Sequence, residues 1–306
     1  MIYTVTFNPS LDYVIQAEKL TPGEINRAVR ENIYPGGKGI NVSVMLSHMG
    51  LPSVALGFRA GFTGENLEQM LKTFGCRTDF ISLEEGFTRI NVKIKAEEET
   101  EINGQGPVIT KEAIDALYRK LDVLGEGDIL ILAGSIPATL PEDIYEQILE
   151  RLQGRGCRFV VDATKDLLRK VLKYHPFLIK PNNHELGELF GVKTETSEEI
   201  AAYARKLQEL GAKNVLVSRA GDGALLLTET GEVMESLPPR GTVVNSVGAG
   251  DSMVAGFVAG YRNTGSLEKA FQLGLAAGSA TAFQSWLADR DDITALLEEP
   301  AENFHI

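Results

Sequence analysis

Six short runs of apolar and β-branched residues recur along the chain and predict buried β-strands. They are IYTVTF (2–7), SVALGF (53–58), DILILA (128–133), RFVVD (158–162), FLIK (177–180) and NVLVS (214–218). A strand that is covered on both faces reads as a continuous apolar run, whereas a half-exposed strand alternates. We therefore expect these six runs to form one sheet with both faces buried.

Helical patterns lie between the predicted strands. Val42, Met45, Leu46 and Met49 follow the spacing i, i+3, i+4 and i+7, and residues 110–124 open with a threonine that suits a helix cap. Strands that alternate with helices are typical of a mostly parallel sheet between two helical layers. The predicted fold class is therefore a three-layer α/β/α core.

Residues 11–34 and 87–103 break this rhythm, because apolar and polar residues alternate in them without an intervening helix. This pattern predicts half-exposed strands. We expect a small β-sheet that is appended to the core and folds over a site as a lid. Since an exposed sheet needs cover, we also expect a homodimer formed through this lid.

Composition and charge limit the number of domains, the binding partners and the compartment that we expect. The 306 residues, 43% of them apolar, suffice for one domain spanning 1–306. A net charge of −12 argues against binding to nucleic acid or anionic membrane through bulk electrostatics. Cys76 and Cys157 form no CxxC pair, and the sequence shows neither a signal peptide nor a run of about 20 apolar residues. We expect a cytoplasmic protein.

Polar residues follow several of the predicted strands. In open α/β sheets, ligands bind beyond the carboxyl ends of the strands. Polar strand ends are common in any protein, but a whole set of them favours a site at this edge of the sheet. The positions concerned are Asn8, Asp12, Ser135, Asp162, Lys180 to Glu185, and Ser218.

The stretch NSVGAGDSMVAGF (245–257) predicts a glycine-rich turn at the start of a helix. Met253, Val254, Phe257, Val258 and Tyr261 share one helical face, and Gly265 is a plausible stop. The backbone amides of the first turn lack intrahelical partners, so Gly248, Ala249 and Gly250 could bind an anion. Asp251 could be a simple cap, or a base that accepts a proton beside that anion.

The segment PGGKGINVS (35–43) also combines glycines with polar residues before a helix. Gly36 and Gly37 permit close approach of a ligand, Lys38 adds a cation, and Asn41 can bind hydroxyl groups. Arg27 and Arg89, on the predicted lid strands, could hold a phosphate. The alternatives are an ordinary glycine-rich turn and arginines that face solvent. The spacing is not that of a P-loop, and VGAGDS lacks the GxGxxG fingerprint of dinucleotide-binding proteins.

Together, GGKGINVS near the N-terminus and VNSVGAGDSMVAGF near the C-terminus resemble the paired signatures of the ribokinase-like (PfkB-type) carbohydrate kinases. The resemblance covers essentially the whole chain. It implies a ribokinase-like fold with a β lid, often clasped as a homodimer. It also implies ATP and Mg²⁺ as cofactors and a ketohexose phosphate as acceptor, with K⁺ near Asn245 and Ser246 as a further candidate.

The resemblance also implies roles for individual residues. Asp251 would be the catalytic base, and Gly248, Ala249 and Gly250 the anion hole. Sugar hydroxyls would bind Asp12, Gly36, Gly37 and Asn41, and the phosphate already on the sugar would bind Arg27, Lys38, Arg89 and Ser135. Lys180, Asn182 and Glu185 would organise the nucleotide phosphates and, indirectly through Glu185, Mg²⁺. The ATP phosphates and ribose would lie along Ser218, Arg219, Gly221 and Gly223.

The expected activity is transfer of the ATP γ-phosphoryl group to a ketohexose phosphate. The overall likeness favours the C6 hydroxyl of D-fructose 1-phosphate, and tagatose 6-phosphate and fructose 6-phosphate are alternative acceptors. A non-catalytic sugar-phosphate sensor is a different class of function, but a sensor has no need of the base Asp251.

Overall fold

The structure is a computed structural model that describes residues 1–306. It contains fourteen strands. In chain order they are β1 (Ile2–Thr6), β2 (Ser10–Gln16), β3 (Arg30–Gly36), β4 (Ser53–Ala60), β5 (Arg77–Thr78), β6 (Ile81–Leu83), β7 (Arg89–Lys95), β8 (Glu99–Asn103), β9 (Ile129–Ala133), β10 (Arg158–Asp162), β11 (Leu178–Ile179), β12 (Asn214–Ser218), β13 (Ala224–Leu227) and β14 (Val233–Ser236).

Ten helices connect and follow these strands. They are α1 (Lys38–His48), α2 (Gly61–Thr73), α3 (Lys111–Leu121), α4 (Ile144–Leu152), α5 (Lys165–Val171), α6 (Asn183–Phe190), α7 (Ser197–Glu209), α8 (Ala249–Thr264), α9 (Leu267–Ala282) and α10 (Arg290–Thr294). Short 3₁₀ turns occupy Leu172–Tyr174, Ala220–Asp222 and Ala301–Phe304.

All six predicted strands belong to one large sheet of ten strands. The order is β14-β13-β12-β11-β10-β9-β1-β4-β5, and β6 pairs with β4. The pairs are parallel except for β12–β13 and β13–β14. Along β9, Ile129 and Ile131 enter one hydrophobic core, while Leu130 and Leu132 enter the other. Both faces of the sheet are therefore buried, which explains the continuous apolar runs.

The helices form a layer on each face of this sheet. Helices α1, α2, α8, α9 and α10 supply one core, and α3 to α7 supply the other. Thr110 caps α3 by accepting a hydrogen bond from the Ala113 backbone N–H, and Gly265 ends α8 with φ 70°. The predicted three-layer α/β/α core is confirmed. No helix is both long and apolar enough to cross a membrane.

A second sheet of four strands stands apart, in the order β3-β2-β7-β8. We call it the small sheet. It arises from the two regions whose residues alternate, but residues 17–29 of the first region form a mostly exposed connection rather than a strand. Arg27 lies in that connection, so its prediction as a lid-strand residue is wrong. The segment contains glycine, proline and polar residues that favour turns over a sheet ladder.

The topology places a crevice at one edge of the large sheet. Strand β1 has β4 as its neighbour on one side and β9 on the other. After β1 the chain first adds β4 and β5 on one side, and it later adds β9, β10 and β11 on the other side. The direction in which strands are added reverses at β1, and such a switch point opens a crevice at the carboxyl ends of the strands. The small sheet lies beside this crevice because β2 follows β1 after only three residues.

Candidate active site

A cavity of about 960 Å³ fills the crevice. The strand ends of β1, β9, β10 and β11 form its floor, and the first turns of α1 and α8 form one wall. The small sheet contributes Asp12 and Arg89. Residues that are widely separated in sequence are therefore brought together. Of the strand-end residues that the sequence singled out, five line this cavity, namely Asn8, Asp12, Ser135, Asp162 and Lys180. Lys38 and Asp251, from the two glycine-rich segments, line it as well.

Asp251 lies in the first turn of α8 and is only 6% exposed. The Nδ2 of Asn41 donates a hydrogen bond of 2.8 Å to its Oδ2. Burial, and then the negative charge of Asp162, raise the pKa of Asp251 to about 6, against the opposing effects of Lys38, Asn41 and Lys180. Asp251 is the third residue of α8, and its side chain accepts no hydrogen bond from a backbone N–H group of the turn. The cap alternative therefore fails.

The turn before Asp251 leaves several backbone amides without a hydrogen-bond partner. Gly248 has φ 83°, a conformation that residues with a Cβ rarely adopt. The backbone N–H groups of Gly248, Gly250 and Asp251 donate to no other group of the chain, whereas that of Ala249 donates to the Ser246 carbonyl at 3.3 Å. A Cβ on Gly250 would lie 3.1 Å from the Lys180 Nζ, so glycine leaves room for that cation.

A buried cluster of charges lies beside this turn. Asp162 ends β10 with 1% exposure, and its carboxylate pairs with Lys38 Nζ at 3.1 Å and Lys180 Nζ at 3.6 Å. Burial opposes ionisation of Asp162, but Lys180 and Lys38 outweigh it and hold the pKa of this carboxyl below its usual value. Burial likewise opposes the charge of Lys38, yet Asp162 and Asp251 raise the pKa of that lysine.

The sequence placed Asp162 at a strand end but gave it no role. Its signal was a carboxylate at the end of a predicted strand, and in the structure Asp162 ends β10 while Lys180 directly follows the neighbouring strand β11. What could not be predicted was the contact with Lys38, which is 124 positions away along the chain.

Asp12 faces the cavity from β2 and is held by neighbours on the small sheet. Its Oδ1 accepts hydrogen bonds from Ser10 Oγ at 2.7 Å and from Asn91 Nδ2 at 2.9 Å. Gly36 pairs with Ser10 across the small sheet, and a Cβ on Gly36 would lie 2.5 Å from the same Asp12 oxygen. Asn91 was missed, because an asparagine within an alternating strand carries no sequence signal of its partner.

Other predicted sugar-phosphate residues divide into two groups. Gly37, with φ 114°, Arg89 and Ser135 line the cavity, and Arg89 donates through Nε to the Asn8 carbonyl at 3.0 Å. Burial lowers the pKa of Arg89, against the opposing effect of Asp12. Arg27 is exposed in the connection between β2 and β3 and does not line the cavity.

The predicted nucleotide residues lie next to the cavity, beyond Lys180. Asn182 and Glu185 form a reciprocal cap at the start of α6, in which Glu185 Oε2 accepts from the Asn182 backbone N–H at 2.8 Å. Asn182 also pairs with Ser218 as an isolated parallel bridge. Residues from the ends of β11 and β12 therefore form one surface, as the sequence predicted.

Two of these residues have structural roles. Arg219 pairs with Glu235 at 2.6 Å and donates to Ser197 Oγ at 2.9 Å. Gly223 has φ 84°, and a Cβ there would overlap the Ser236 carbonyl oxygen, so this glycine lets the connection between β12 and β13 pack against the end of β14. Gly221 has open space around it.

No group of three or more His, Cys, Asp or Glu side chains is arranged to hold a metal ion by protein ligands alone. Mg²⁺ usually retains waters and binds one or two carboxylates together with substrate phosphates. Glu185 fits that use, because its cap occupies only Oε2 and its charge reaches the neighbourhood of Lys38. The indirect role predicted for Glu185 is therefore compatible with the structure.

Comparison with known proteins gives one consistent family. The model of the pfkB family carbohydrate kinases matches residues 5–289. The 1-phosphofructokinase of Bacillus subtilis is 50% identical over 299 residues, which is 98% of each chain. The D-tagatose-1-phosphate kinase of Bacillus licheniformis is 38% identical over 290 residues, covering 94% of this chain and 95% of that protein.

Solved structures agree with the sequence relatives. Phosphofructokinase-2 from Escherichia coli, in complex with substrates and products, superposes with a TM-score of 0.91 at 28% identity and covers 96% of this chain and 97% of its own. Ribokinase from Arabidopsis thaliana, complexed with ribose and ATP, has a TM-score of 0.80 at 23% identity and covers 97% and 98%. The fold is ribokinase-like, as predicted.

Proposed function

Because the chain belongs to the PfkB family of carbohydrate kinases, we propose that it transfers the γ-phosphoryl group of ATP to the C6 hydroxyl of D-fructose 1-phosphate. The products are D-fructose 1,6-bisphosphate and ADP. The observation that carries this proposal is the buried carboxylate of Asp251, which lies beside unpaired backbone amides at the start of α8. The identity of 50% with a 1-phosphofructokinase supports the acceptor.

Asp251 acts as the general base in this proposal. One carboxylate oxygen accepts from Asn41, which leaves the other free to accept the proton of the C6 hydroxyl as its oxygen attacks the γ-phosphorus. The bond between the γ-phosphorus and the β,γ-bridging oxygen breaks, and ADP leaves. A pKa of about 6 keeps most of the carboxyl ionised at neutral pH while leaving it basic enough to help.

Charge neutralisation does the remaining work of the transfer. The amides of Gly248, Gly250 and Asp251 point at the position where the γ-phosphoryl group gains charge. Ala249 contributes less, because its N–H is already engaged. Lys180 borders the turn, and Lys38 stands on the opposite side of Asp162. Mg²⁺, when bound, would neutralise the nucleotide phosphates, and Glu185 would hold one of its waters.

The two substrates occupy opposite ends of the cavity in this proposal. The sugar hydroxyls bind Asp12, Gly37 and Asn41, and the 1-phosphate binds Arg89, Ser135 and Lys38, with Gly36 making room for Asp12. ATP lies toward Lys180, Asn182, Glu185, Ser218 and Gly221. Arg219 and Gly223 shape the nucleotide surface through the contacts that fix its loop. Arg27 would reach a phosphate only if its connection moved.

We also propose that the small sheet acts as a lid and that two copies of the chain pair through it. Ile33 and Ile90 are 52% and 36% exposed, and they adjoin Leu11 and Tyr13 on one face of the small sheet. A second copy would cover this apolar face. Closure of the lid would exclude water, which otherwise competes with the sugar hydroxyl for the phosphoryl group.

A coupled assay of ADP release tests the activity. D-Fructose 1-phosphate should give a much higher kcat/KM than D-tagatose 1-phosphate, tagatose 6-phosphate or fructose 6-phosphate, and the product should be cleaved by aldolase. A preference for D-tagatose 1-phosphate, the substrate named for one relative, would contradict the proposed acceptor. Binding of sugar phosphates without ADP release from any of them would instead establish a sensor.

The Arg89→Ala variant tests the orientation of the sugar. Its KM for D-fructose 1-phosphate should rise by at least about tenfold, because a charged hydrogen bond to phosphate is lost. The KM for ATP should stay at the wild-type value. An unchanged KM for the sugar phosphate would reject the role of Arg89.

A further inference from the structure

Lys165 is an unusual residue at the mouth of the cavity. It is the first residue of α5, three positions after β10 ends, and its φ is 53°. Residues with a Cβ rarely adopt this left-handed conformation, and such strain clusters at functional sites. Three other non-glycine residues share it, namely His175, Ala220 and His305, but none of them lines the cavity.

The cavity is lined by equal numbers of cationic and acidic side chains, so a cation that is not already paired would be important for binding phosphates. Five cationic and five acidic side chains border it. Lys38 and Lys180 are bound to Asp162, and Arg89 already donates to a carbonyl. Lys170 has no ion pair, but it lies in the last turn of α5, farther along the chain from the strand end than Lys165. A phosphate monoester carries about −1.5 to −2 at neutral pH, so two phosphorylated substrates need more positive charge than the bound lysines supply.

Lys165 is available to supply it. Its only ion pair is with Glu188, at 4.0 Å, and the two side chains are 75% and 60% exposed. An exposed pair at this distance holds its partners weakly. The Lys165 ammonium can therefore leave Glu188 at little cost when a stronger anion arrives.

The ion pair with Glu188 also indicates which of the two substrates lies close to Lys165. Glu188 lies on α6, one turn after Glu185 on the same helical face. At the start of α6, Asn182 shares a reciprocal cap with Glu185 and pairs with Ser218. Lys165 therefore stands on the nucleotide side of the cavity, away from Arg89 and Asp12 on the small sheet.

We propose that Lys165 leaves Glu188 and binds the β- and γ-phosphates of the nucleotide, as a second lysine beside Lys180. The inference rests on the proposed kinase function. It adds a nucleotide-binding residue that no motif of the sequence indicated. Its left-handed backbone would hold the side chain over the cavity mouth rather than along the surface of α5.

Four variants test the proposal. Lys165→Gln removes the charge, Lys165→Arg keeps it, and Lys165→Gly removes it while suiting φ 53°. Lys193→Gln is the control, because Lys193 is an exposed lysine outside the cavity. The KM for ATP should rise by about tenfold or more in the Gln and Gly variants, be largely restored in the Arg variant, and stay unchanged in the control.

Direct binding separates this inference from the proposed activity. Calorimetric titration with a non-hydrolysable ATP analogue and Mg²⁺ needs no sugar acceptor, so it remains informative even if D-fructose 1-phosphate is the wrong substrate. The analogue should bind Lys165→Gln and Lys165→Gly about tenfold more weakly than it binds the wild type. Lys165→Gly should be at least as heat-stable as the wild type, which excludes misfolding as the cause.

Three results would overturn the proposal. One is an unchanged affinity for the analogue in the folded Lys165→Gly variant. Another is a rise in the KM for the sugar phosphate without a rise in the KM for ATP, which would mean that Lys165 binds the sugar phosphate and not the nucleotide. The third is an equal loss in Lys165→Arg and Lys165→Gln, because a phosphate contact requires only that the charge be kept.

Discussion

The variant Asp251→Asn tests the electrostatics of the site through protein stability as well as through turnover. Asn has the shape of Asp, and its side-chain oxygen can still accept the hydrogen bond from Asn41. The variant therefore removes a titratable charge while leaving the packing of the first turn of α8 intact. Because the carboxyl is buried, its negative charge lowers the free energy of unfolding of the wild type. The uncharged variant lacks this destabilisation.

The size of that cost follows from the pKa. The pKa of Asp251 is raised from 3.8 to about 6, and each pKa unit corresponds to about 1.4 kcal/mol. Since the folded protein holds this proton more tightly than the unfolded chain, ionisation destabilises the fold as pH rises from about 4 to above 6. The total is about 3 kcal/mol.

The assay is urea-induced unfolding of both proteins at a series of pH values. The measured quantity is the free energy of unfolding of Asp251→Asn minus that of the wild type. This difference should grow by about 2 to 3 kcal/mol between about pH 4 and pH 7.5, in favour of the variant. The change of side chain can also add a constant amount to the difference in unfolding free energy. The prediction concerns only how much this difference increases with pH, which a constant amount does not change.

Turnover alone would be ambiguous. The rate should fall by several orders of magnitude in Asp251→Asn because the base is lost, and in the wild type kcat/KM should fall as pH drops through about 6. A sugar phosphate, however, has its own second pKa near 6, and its protonation would cause the same fall in kcat/KM at low pH. The stability measurement contains no substrate and isolates Asp251.

A flat difference between the two proteins across this pH range would refute the reasoning. It would mean that Lys38 and Lys180 stabilise the Asp251 carboxylate as strongly as burial and Asp162 destabilise it. Near-normal turnover in the variant would separately remove Asp251 from the role of base.

Three further predictions concern other parts of the chain. Gly36→Ala should raise the KM for the sugar phosphate by at least about tenfold, since its Cβ would displace Asp12. The unhindered Gly125→Ala is its control, and equal kinetics would contradict the clash. Ile33→Asp should convert dimer to monomer in sedimentation, and a monomeric wild type would refute pairing through the small sheet. Phe304→Ala should lower the free energy of unfolding by about 3 to 5 kcal/mol, because this ring is 1% exposed. A loss below about 1 kcal/mol would show a loosely docked tail.

The sequence predicted most of the large sheet because burial on both faces leaves a local mark. Strand β9 is apolar throughout, and its alternate residues serve two cores. The small sheet was also predictable from alternation, but residues 17–29 were not, because an exposed connection obeys no periodicity. Motif resemblance located Asp251 and Lys38, but neither pattern nor motif could show that Asp162 pairs with Lys38.

In the proposed mechanism, that pairing explains how the buried Asp251 would remain a usable base among lysines. If Lys38 or Lys180 bound Asp251 directly, the pKa of Asp251 would fall and the carboxylate would lose its affinity for a hydroxyl proton. Asp162 accepts both lysines instead, and its own charge adds to the burial that raises the pKa of Asp251. The same lysines stay charged and close to the bare amides of α8, where an incoming phosphoryl group needs them. In the proposed mechanism, Asp162 therefore acts as a positioning residue, which separates the cations that would bind phosphate from the carboxylate that would take the proton.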